Sequence, residues 1–95
     1  GIILIYNGKN NPESGDPNVS PGAYTAGQLL IDARDPSKAL ARLDKPFLQP
    51  ELDFEKTGQY KQGTVFVEGL ALFKDKWFLY YGTADTYVGV AIAPF

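Results

Sequence analysis

Short apolar runs separated by polar turns dominate the chain. Residues 2–6, Ile2-Ile3-Leu4-Ile5-Tyr6, form a β-rich apolar run stopped by the turn signal Asn7-Gly8. Residues 9–23 hold three Pro, two Gly and three Asn with little apolar content, the composition of a long loop. A second strand is expected over Tyr24–Ile31, ended by Asp32-Ala33-Arg34-Asp35-Pro36. Residues 37–44, SKALARLD, read as one helical turn capped by Ser37, with Leu40 and Leu43 on one face, or as irregular connector. Pro46 and Pro50 hold 45–50 extended, and 51–62 is charged enough to cross the surface. After Gly63 the pattern predicts four short strands at 64–67, 69–73, 77–81 and 86–93, joined by tight turns. Such a meander has two flat faces and needs a neighbour on each.

An internal echo runs through this pattern. The run Ile3-Leu4-Ile5-Tyr6-Asn7-Gly8 leads, after the long loop, to Tyr24-Thr25-Ala26-Gly27 and an apolar strand. The run Phe78-Leu79-Tyr80-Tyr81-Gly82 leads, after a short turn, to Tyr87-Val88-Gly89 and an apolar strand. A half-motif that occurs twice is what a repeat architecture predicts. The chain then holds strands three and four of one unit followed by a second unit, about one and a half units in all.

Composition narrows the chemistry. The chain has 95 residues, 44% apolar and 21% charged, which suits one small globular domain. Aromatics at 14% favour β-structure. Nine basic against eleven acidic residues, with no basic cluster, argue against nucleic-acid binding. No run approaches the ~18 apolar residues of a membrane span. There is no Cys, hence no disulfide and no thiolate metal site. There is no His, so catalysis within this chain falls to carboxylates, Tyr or Lys. No metal or organic cofactor site is expected. With no Met, an apolar strand at the start and Ala93-Pro94-Phe95 straight after a strand, both ends read as cut through a larger structure.

Several stretches resemble glycoside hydrolase family 130, the β-mannoside phosphorylases and β-mannosidases. They are IYNG (5–8), YTAGQLLIDARDPSKALAR (24–42), PFLQPE (46–51), FEKTG (54–58), TVFVEGL (64–70) and KWFLYYGTADTYVGVAIA (76–93). LYYGTAD followed by VGVA is the most specific. The resemblance implies an all-β fold, a fragment of a five-bladed β-propeller, here its C-terminal part over 1–95. Residues 1–32 would end one blade and carry a rim loop, 33–62 would connect, and 63–93 would form the final four-stranded blade. The implied activity is inverting cleavage of β-mannosidic bonds by water or by phosphate. The family's phosphate-binding Arg and Lys and its acid would lie mostly upstream.

Glu68 is the first candidate for chemistry, because it interrupts two apolar runs beside Gly69. Inverting hydrolysis needs a carboxylate base for water, whereas phosphate is its own nucleophile and a neighbouring carboxylate repels it. The FVEG form resembles the hydrolase branch, so hydrolysis is the expectation, with Glu68 as base or as an ordinary turn Glu. The alternatives are a phosphorylase using inorganic phosphate, or a non-catalytic sugar-binding module. Asp85, in the GTAD turn, either grips sugar hydroxyls or bonds its own backbone. Tyr6, Asn7, Tyr24, Tyr60 and Tyr81 are candidates for sugar stacking and hydroxyl contacts, against packing between blades. Of these, Asn7, Tyr24 and Tyr81 join Asp85 as the substrate-binding set, and Asn7 is taken to share Tyr81's turn position. Trp77 is expected to pack between blades, and Glu13 and Asp16 could lend a carboxylate from the rim loop.

The expected partner is a β-mannoside oligosaccharide, in a bacterial cytoplasm, periplasm or secreted fraction. A bare blade face of roughly 600 Å² forfeits about 15 kcal/mol at ~25 cal/mol/Å², against net stabilities of about 5–15 kcal/mol. The isolated chain is therefore expected to be unfolded, aggregated or self-associated unless the rest of the propeller covers it. A monomeric, sharply melting 95-mer in sedimentation and calorimetry would contradict this.

Overall fold

The computed structural model describes all residues 1–95. Its elements are β1 (Ile2–Lys9), β2 (Tyr24–Ile31), β3 (Ala39–Arg42), α1 (Asp53–Lys56), β4 (Val65–Phe73), β5 (Lys76–Thr83) and β6 (Tyr87–Pro94). They form two three-stranded antiparallel sheets, β1-β2-β3 and β4-β5-β6, so the chain is all-β apart from one helical turn.

Three sequence expectations change. Asn7-Gly8 does not end β1, because Gly8 and Lys9 still pair with Thr25 and Tyr24. Residues 39–42 are a strand, not a helical turn. Four residues are too few to offset the cost of helix nucleation, and the free edge of β2 offers backbone partners to Ala39, Ala41 and Arg42, with Leu40 skipped at a bulge. The two strands expected at 64–67 and 69–73 are one strand, so the second sheet has three strands rather than four. The break the sequence suggests at Glu68 is a β-bulge: Val67 faces Tyr81, Gly69 faces Tyr80, and Glu68 is the extra residue.

The hairpins rest on unusual turns. Phe73 pairs with Lys76 across Lys74-Asp75, whose φ angles of 49° and 62° are both left-handed. This is the mirror-image turn whose twist suits a hairpin, made without glycine. Ala84 and Asp85 repeat it at φ 47° and 55°, closed by Thr86 N–H to the Thr83 carbonyl at 2.9 Å.

The echo has a structural counterpart. Tyr6 pairs with Gly27, and Tyr81 with Gly89. In each case the ring lies across the glycine: a Cβ added at Gly27 would sit 2.5 Å from Tyr6 Cζ, and one at Gly89 2.7 Å from Tyr81 Cζ. Superposing these pairs makes β1 equivalent to β5 and β2 to β6, residue for residue. It also corrects one expectation. The counterpart of Tyr81 is Tyr6, and Asn7 corresponds to Gly82.

The two sheets join at one corner. The Asn7 amide reaches across to β4, donating to the Val67 carbonyl at 3.2 Å and accepting from its N–H at 2.7 Å. Tyr24 and Thr64 make a parallel bridge beside it. Away from this corner an apolar groove of about 680 Å³ separates the sheets, lined by Ile3, Ile5 and Gln28 on one side and Leu70, Leu79 and Ala91 on the other.

The result is a slab of 40 × 37 × 17 Å with a radius of gyration of 14.2 Å. A compact domain of this length would have about 12.4 Å. Its accessible surface is 6671 Å², against about 5,400 Å² for a compact monomer of this mass. Apolar side chains are exposed both on the outer faces, at Ile2, Leu4, Tyr80 and Val90, and along the groove, at Ile3, Leu70 and Ile92.

The two Tyr-on-Gly pairs should respond differently to a methyl group. Tyr81 is buried and bonded to the buried Glu55, whereas Tyr6 is half-buried and bonded to the exposed Arg42. Gly89→Ala is expected to cost about 2–3 kcal/mol and Gly27→Ala about 1 kcal/mol, read by urea denaturation at one fixed protein concentration. Equal losses would show that the two rings are equally constrained.

Candidate functional site

Glu68 owes its position to the bulge. The exposed carboxylate folds back over β5, with Oε1 3.7 Å from the place a Cβ on Gly82 would occupy. Because Gly82 has no side chain, the carboxylate lies on an open stretch of sheet. Neighbouring strand residues point to opposite faces, so Tyr81 lies on the other side of this sheet from Glu68. Phe66 pairs with Gly82 and shares its face.

Asp85 sits at the tip of the β5–β6 turn with its side chain exposed. The turn is held from outside. The Ala84 carbonyl accepts from Gln59 N–H at 3.0 Å and Tyr60 N–H at 3.2 Å, and Ala84 N–H donates to the Thr64 carbonyl at 3.2 Å. Gln59 N–H also donates to Thr86 Oγ1 at 3.2 Å. Gly58 makes this approach possible at φ 133°, where any side chain would strike Thr86. Two non-glycine residues held in left-handed geometry cost about 1–2 kcal/mol each. Here the connector that was expected to cross the surface holds them in place.

The structure separates the expected substrate-binding set. Tyr24 packs against Tyr60 at 5.4 Å and edge-on against Phe66 at 5.8 Å between ring centroids, on the Glu68 side. Tyr60 is further fixed by donating to the Gly22 carbonyl at 2.7 Å. Asn7 uses one amide donor and one acceptor on Val67, the residue before Glu68, which leaves it one N–H and one lone pair. Tyr81 is buried on the opposite face and points away from this group. Trp77 is half-buried and packs at a tilt against Phe95, 5.9 Å between ring centroids.

Tyr81 donates instead to a residue the sequence did not single out. Its hydroxyl lies 2.6 Å from Glu55 Oε2, while Glu55 Oε1 accepts from Glu51 N–H at 2.9 Å and Leu52 N–H at 3.0 Å. Glu55 is only 3% exposed. The nearest sequence signal is its place in the first helical turn, where a carboxylate can reach back to the preceding N–H groups. Burial of the phenol, reinforced by its hydrogen bond to Glu55 and that carboxylate's charge, pushes Tyr81 up to about 12 from 10.0.

The long loop 9–23 is built around Asn10. Its amide donates to the carbonyls of Asp16 and Val19 at 3.1 and 3.0 Å and accepts from Asp16 N–H at 2.8 Å. The Asp16 carboxylate accepts from Asn18 N–H at 2.9 Å, and Glu13 is exposed. Below this loop a polar cleft of about 420 Å³ is lined by Lys9, Arg42, Lys45 and Asp44 around Tyr6. Arg42 Nε donates to the Tyr6 hydroxyl at 3.0 Å, and its guanidinium lies 5.3 Å from the ring centroid.

The glycoside hydrolase family 130 model, beta-1,4-mannooligosaccharide phosphorylase, matches residues 1–95. A beta-1,2-mannobiose phosphorylase of Thermoanaerobacter sp. (strain X514) is 42% identical over 92 residues, covering 97% of this chain and 27% of that protein. A 1,2-beta-oligomannan phosphorylase of the same organism is 45% identical over 92 residues, covering 97% and 28%. A solved structure concerns glycoside hydrolases within the GH130 family of mannoside phosphorylases that target beta-1,2 mannosidic linkages in Candida mannan. It is 54% identical, with a TM-score of 0.94 over 99% of this chain and 26% of its own. The chain thus spans about a quarter of the length of the relatives it matches.

The Tyr81–Glu55 pair gives an alkaline signature. The folded chain holds the Tyr81 proton more tightly than the unfolded one. That stabilisation is complete below pH 10 and is lost as pH rises from 10 to about 12. Tyr81→Phe should lower stability at pH 8 by about 1–2 kcal/mol by removing a donor from a buried carboxylate. It should also flatten the loss between pH 10 and 12, measured by urea midpoints across that range.

Proposed function

The chain belongs to glycoside hydrolase family 130, and from that premise we propose that it is the C-terminal part of a five-bladed propeller protein that cleaves β-linked mannooligosaccharides by phosphorolysis. The observation that carries this reading is the match of the whole of residues 1–95 to a phosphorylase family model, joined by two relatives that are themselves mannoside phosphorylases. It replaces the hydrolysis expected from FVEG as the first reading. The repeat supports the propeller. Laid on one another, the sheets lack only a partner for β4 in the first and for β3 in the second, so the combined unit has four strands.

In phosphorolysis an oxygen of inorganic phosphate attacks C1 of the mannosyl unit. The bond from C1 to the glycosidic oxygen breaks, that oxygen takes a proton from a general acid expected upstream of this segment, and inversion gives α-mannose 1-phosphate. Phosphate is the co-substrate that supplies the nucleophile. The role of Asp85 is to accept hydrogen bonds from two adjacent sugar hydroxyls, which its rigid, exposed turn suits. Glu68 accepts from another hydroxyl, with the half-free Asn7 amide beside it. Tyr24 supports that wall through Phe66. Tyr81, facing away, acts on the sheet and not on the sugar.

Hydrolysis is the second reading, favoured by the 54% identity to the structure associated with mannoside-targeting hydrolases and by a carboxylate at Glu68 that could activate water. The whole protein, incubated with β-1,2-mannobiose with and without inorganic phosphate, separates the two. Phosphorolysis requires phosphate and yields mannose 1-phosphate, and free mannose released at equal rate without phosphate would overturn it. Asp85→Ala should raise KM about 10- to 100-fold through two lost hydrogen bonds. Glu68→Gln should lower kcat less than about 10-fold in a phosphorylase and about 10²–10⁴-fold if Glu68 is a base.

A further inference from the structure

We infer that Glu55 is a positioning residue for Asp85: through the connector and Tyr81, its buried carboxylate holds the β5–β6 turn in the geometry that presents Asp85 to a sugar. The inference rests on the reading of Asp85 as a sugar contact and extends it to a residue that touches no substrate.

The hydrogen bonds around Glu55 form a closed circuit. By the side-chain route, Oε2 accepts from the Tyr81 hydroxyl at 2.6 Å, and Tyr81 lies in β5, which runs directly into the turn. By the main-chain route, the Glu55 carbonyl accepts from Thr64 N–H at 2.9 Å, and the Thr64 carbonyl accepts from Ala84 N–H at 3.2 Å. Along the connector, Gln59 and Tyr60 bring their N–H groups onto the Ala84 carbonyl at 3.0 and 3.2 Å. The start of the connector is fixed by the same carboxylate, whose Oε1 accepts from Glu51 and Leu52 N–H at 2.9 and 3.0 Å. Glu55 thus ties together the strand that leads to Asp85 and both main-chain groups of the residue beside it.

Asp85 needs this support. Ala84 and Asp85 stand at φ 47° and 55°, a left-handed pair with no glycine to make it easy. The Asp85 side chain is exposed, so its direction is set by the backbone that carries it. The groups that hold that backbone are buried: Glu55, Thr64 and Ala84 are 3%, 2% and 0% exposed. A bond lost among them is not replaced by solvent, and the turn has to shift to recover it. A shift of about 1 Å in a group that grips substrate changes its effect by up to ~10²-fold.

A double-mutant cycle tests this. The whole protein is assayed for cleavage of β-1,2-mannobiose in the presence of phosphate as Glu55→Gln, as Asp85→Ala and as the double variant. Gln keeps one acceptor oxygen where the carboxylate has two, so the two N–H groups and the Tyr81 hydroxyl can no longer all be met. Glu55→Gln should raise KM about 3- to 10-fold and change kcat less than about twofold. In the Asp85→Ala background the same substitution should leave KM unchanged, because the group it positions is gone. Gly27→Ala, which loosens the other sheet, should leave KM unchanged with Asp85 in place. An unchanged KM in Glu55→Gln, an equal KM rise in both backgrounds, or a rise of the same size from Gly27→Ala would each overturn the inference while Asp85 stays a sugar contact. An unchanged KM in Asp85→Ala would overturn the reading of Asp85, and the inference with it. If Glu55→Gln loses its fold, Tyr81→Phe, which removes one bond from the same carboxylate, takes its place in the cycle under the same criteria.

Discussion

A β-sheet with two apolar faces must be covered twice, and this chain covers each of its sheets once. The whole molecule follows from that. Fourteen of 95 residues are buried, most of them near the corner where Asn7 grips Val67 and Tyr24 meets Thr64. The side-chain amide of Asn7 stands in for a missing strand, giving β4 one donor and one acceptor where a neighbouring backbone would have done so. With that corner fixed, the sheets diverge around an apolar groove and leave their outer faces bare.

The candidate site inherits its geometry from the same corner. The clasp at Val67 lies one residue before the bulge that turns out Glu68, and the connector from Glu55 to Thr64 ties the same end of the sheet at the β5–β6 turn. Glu55 binds two backbone N–H groups and the Tyr81 hydroxyl, and its own carbonyl accepts from Thr64 N–H at 2.9 Å. The segment thus braces the sheet from behind while Gln59 and Tyr60 brace the Asp85 turn. Exposed groups that would meet a sugar are carried by buried groups that would not.

Much of the strand pattern was legible in the sequence, because period-two alternation and turn residues report local structure. β2 and the β5–β6 hairpin lie where the pattern put them. The errors arose where tertiary pairing outweighed local preference: β3 at the free edge of β2, and β4 running through Glu68 as a bulge. The repeat was visible as a loose echo, but its alignment needed the Tyr6–Gly27 and Tyr81–Gly89 pairs. Glu55 was illegible, since a Glu in a charged stretch looks solvated until a buried phenol is found beside it. Tyr81 was read as a sugar contact for the complementary reason: one residue of strand separates the face of Glu68 from its opposite.

A tyrosine ring lying on a glycine has a further meaning for how these hairpins form. Shifting either strand by two residues would place Thr25 or Leu29 under Tyr6, and Tyr87 or Ala91 under Tyr81, where a side chain has no room. Each hairpin therefore rejects its nearest misaligned pairings that keep the faces unchanged. For β5–β6, closed by a three-residue loop, that discrimination operates locally and early in folding. The correct alignment is thus selected before any neighbouring sheet arrives to stabilise it.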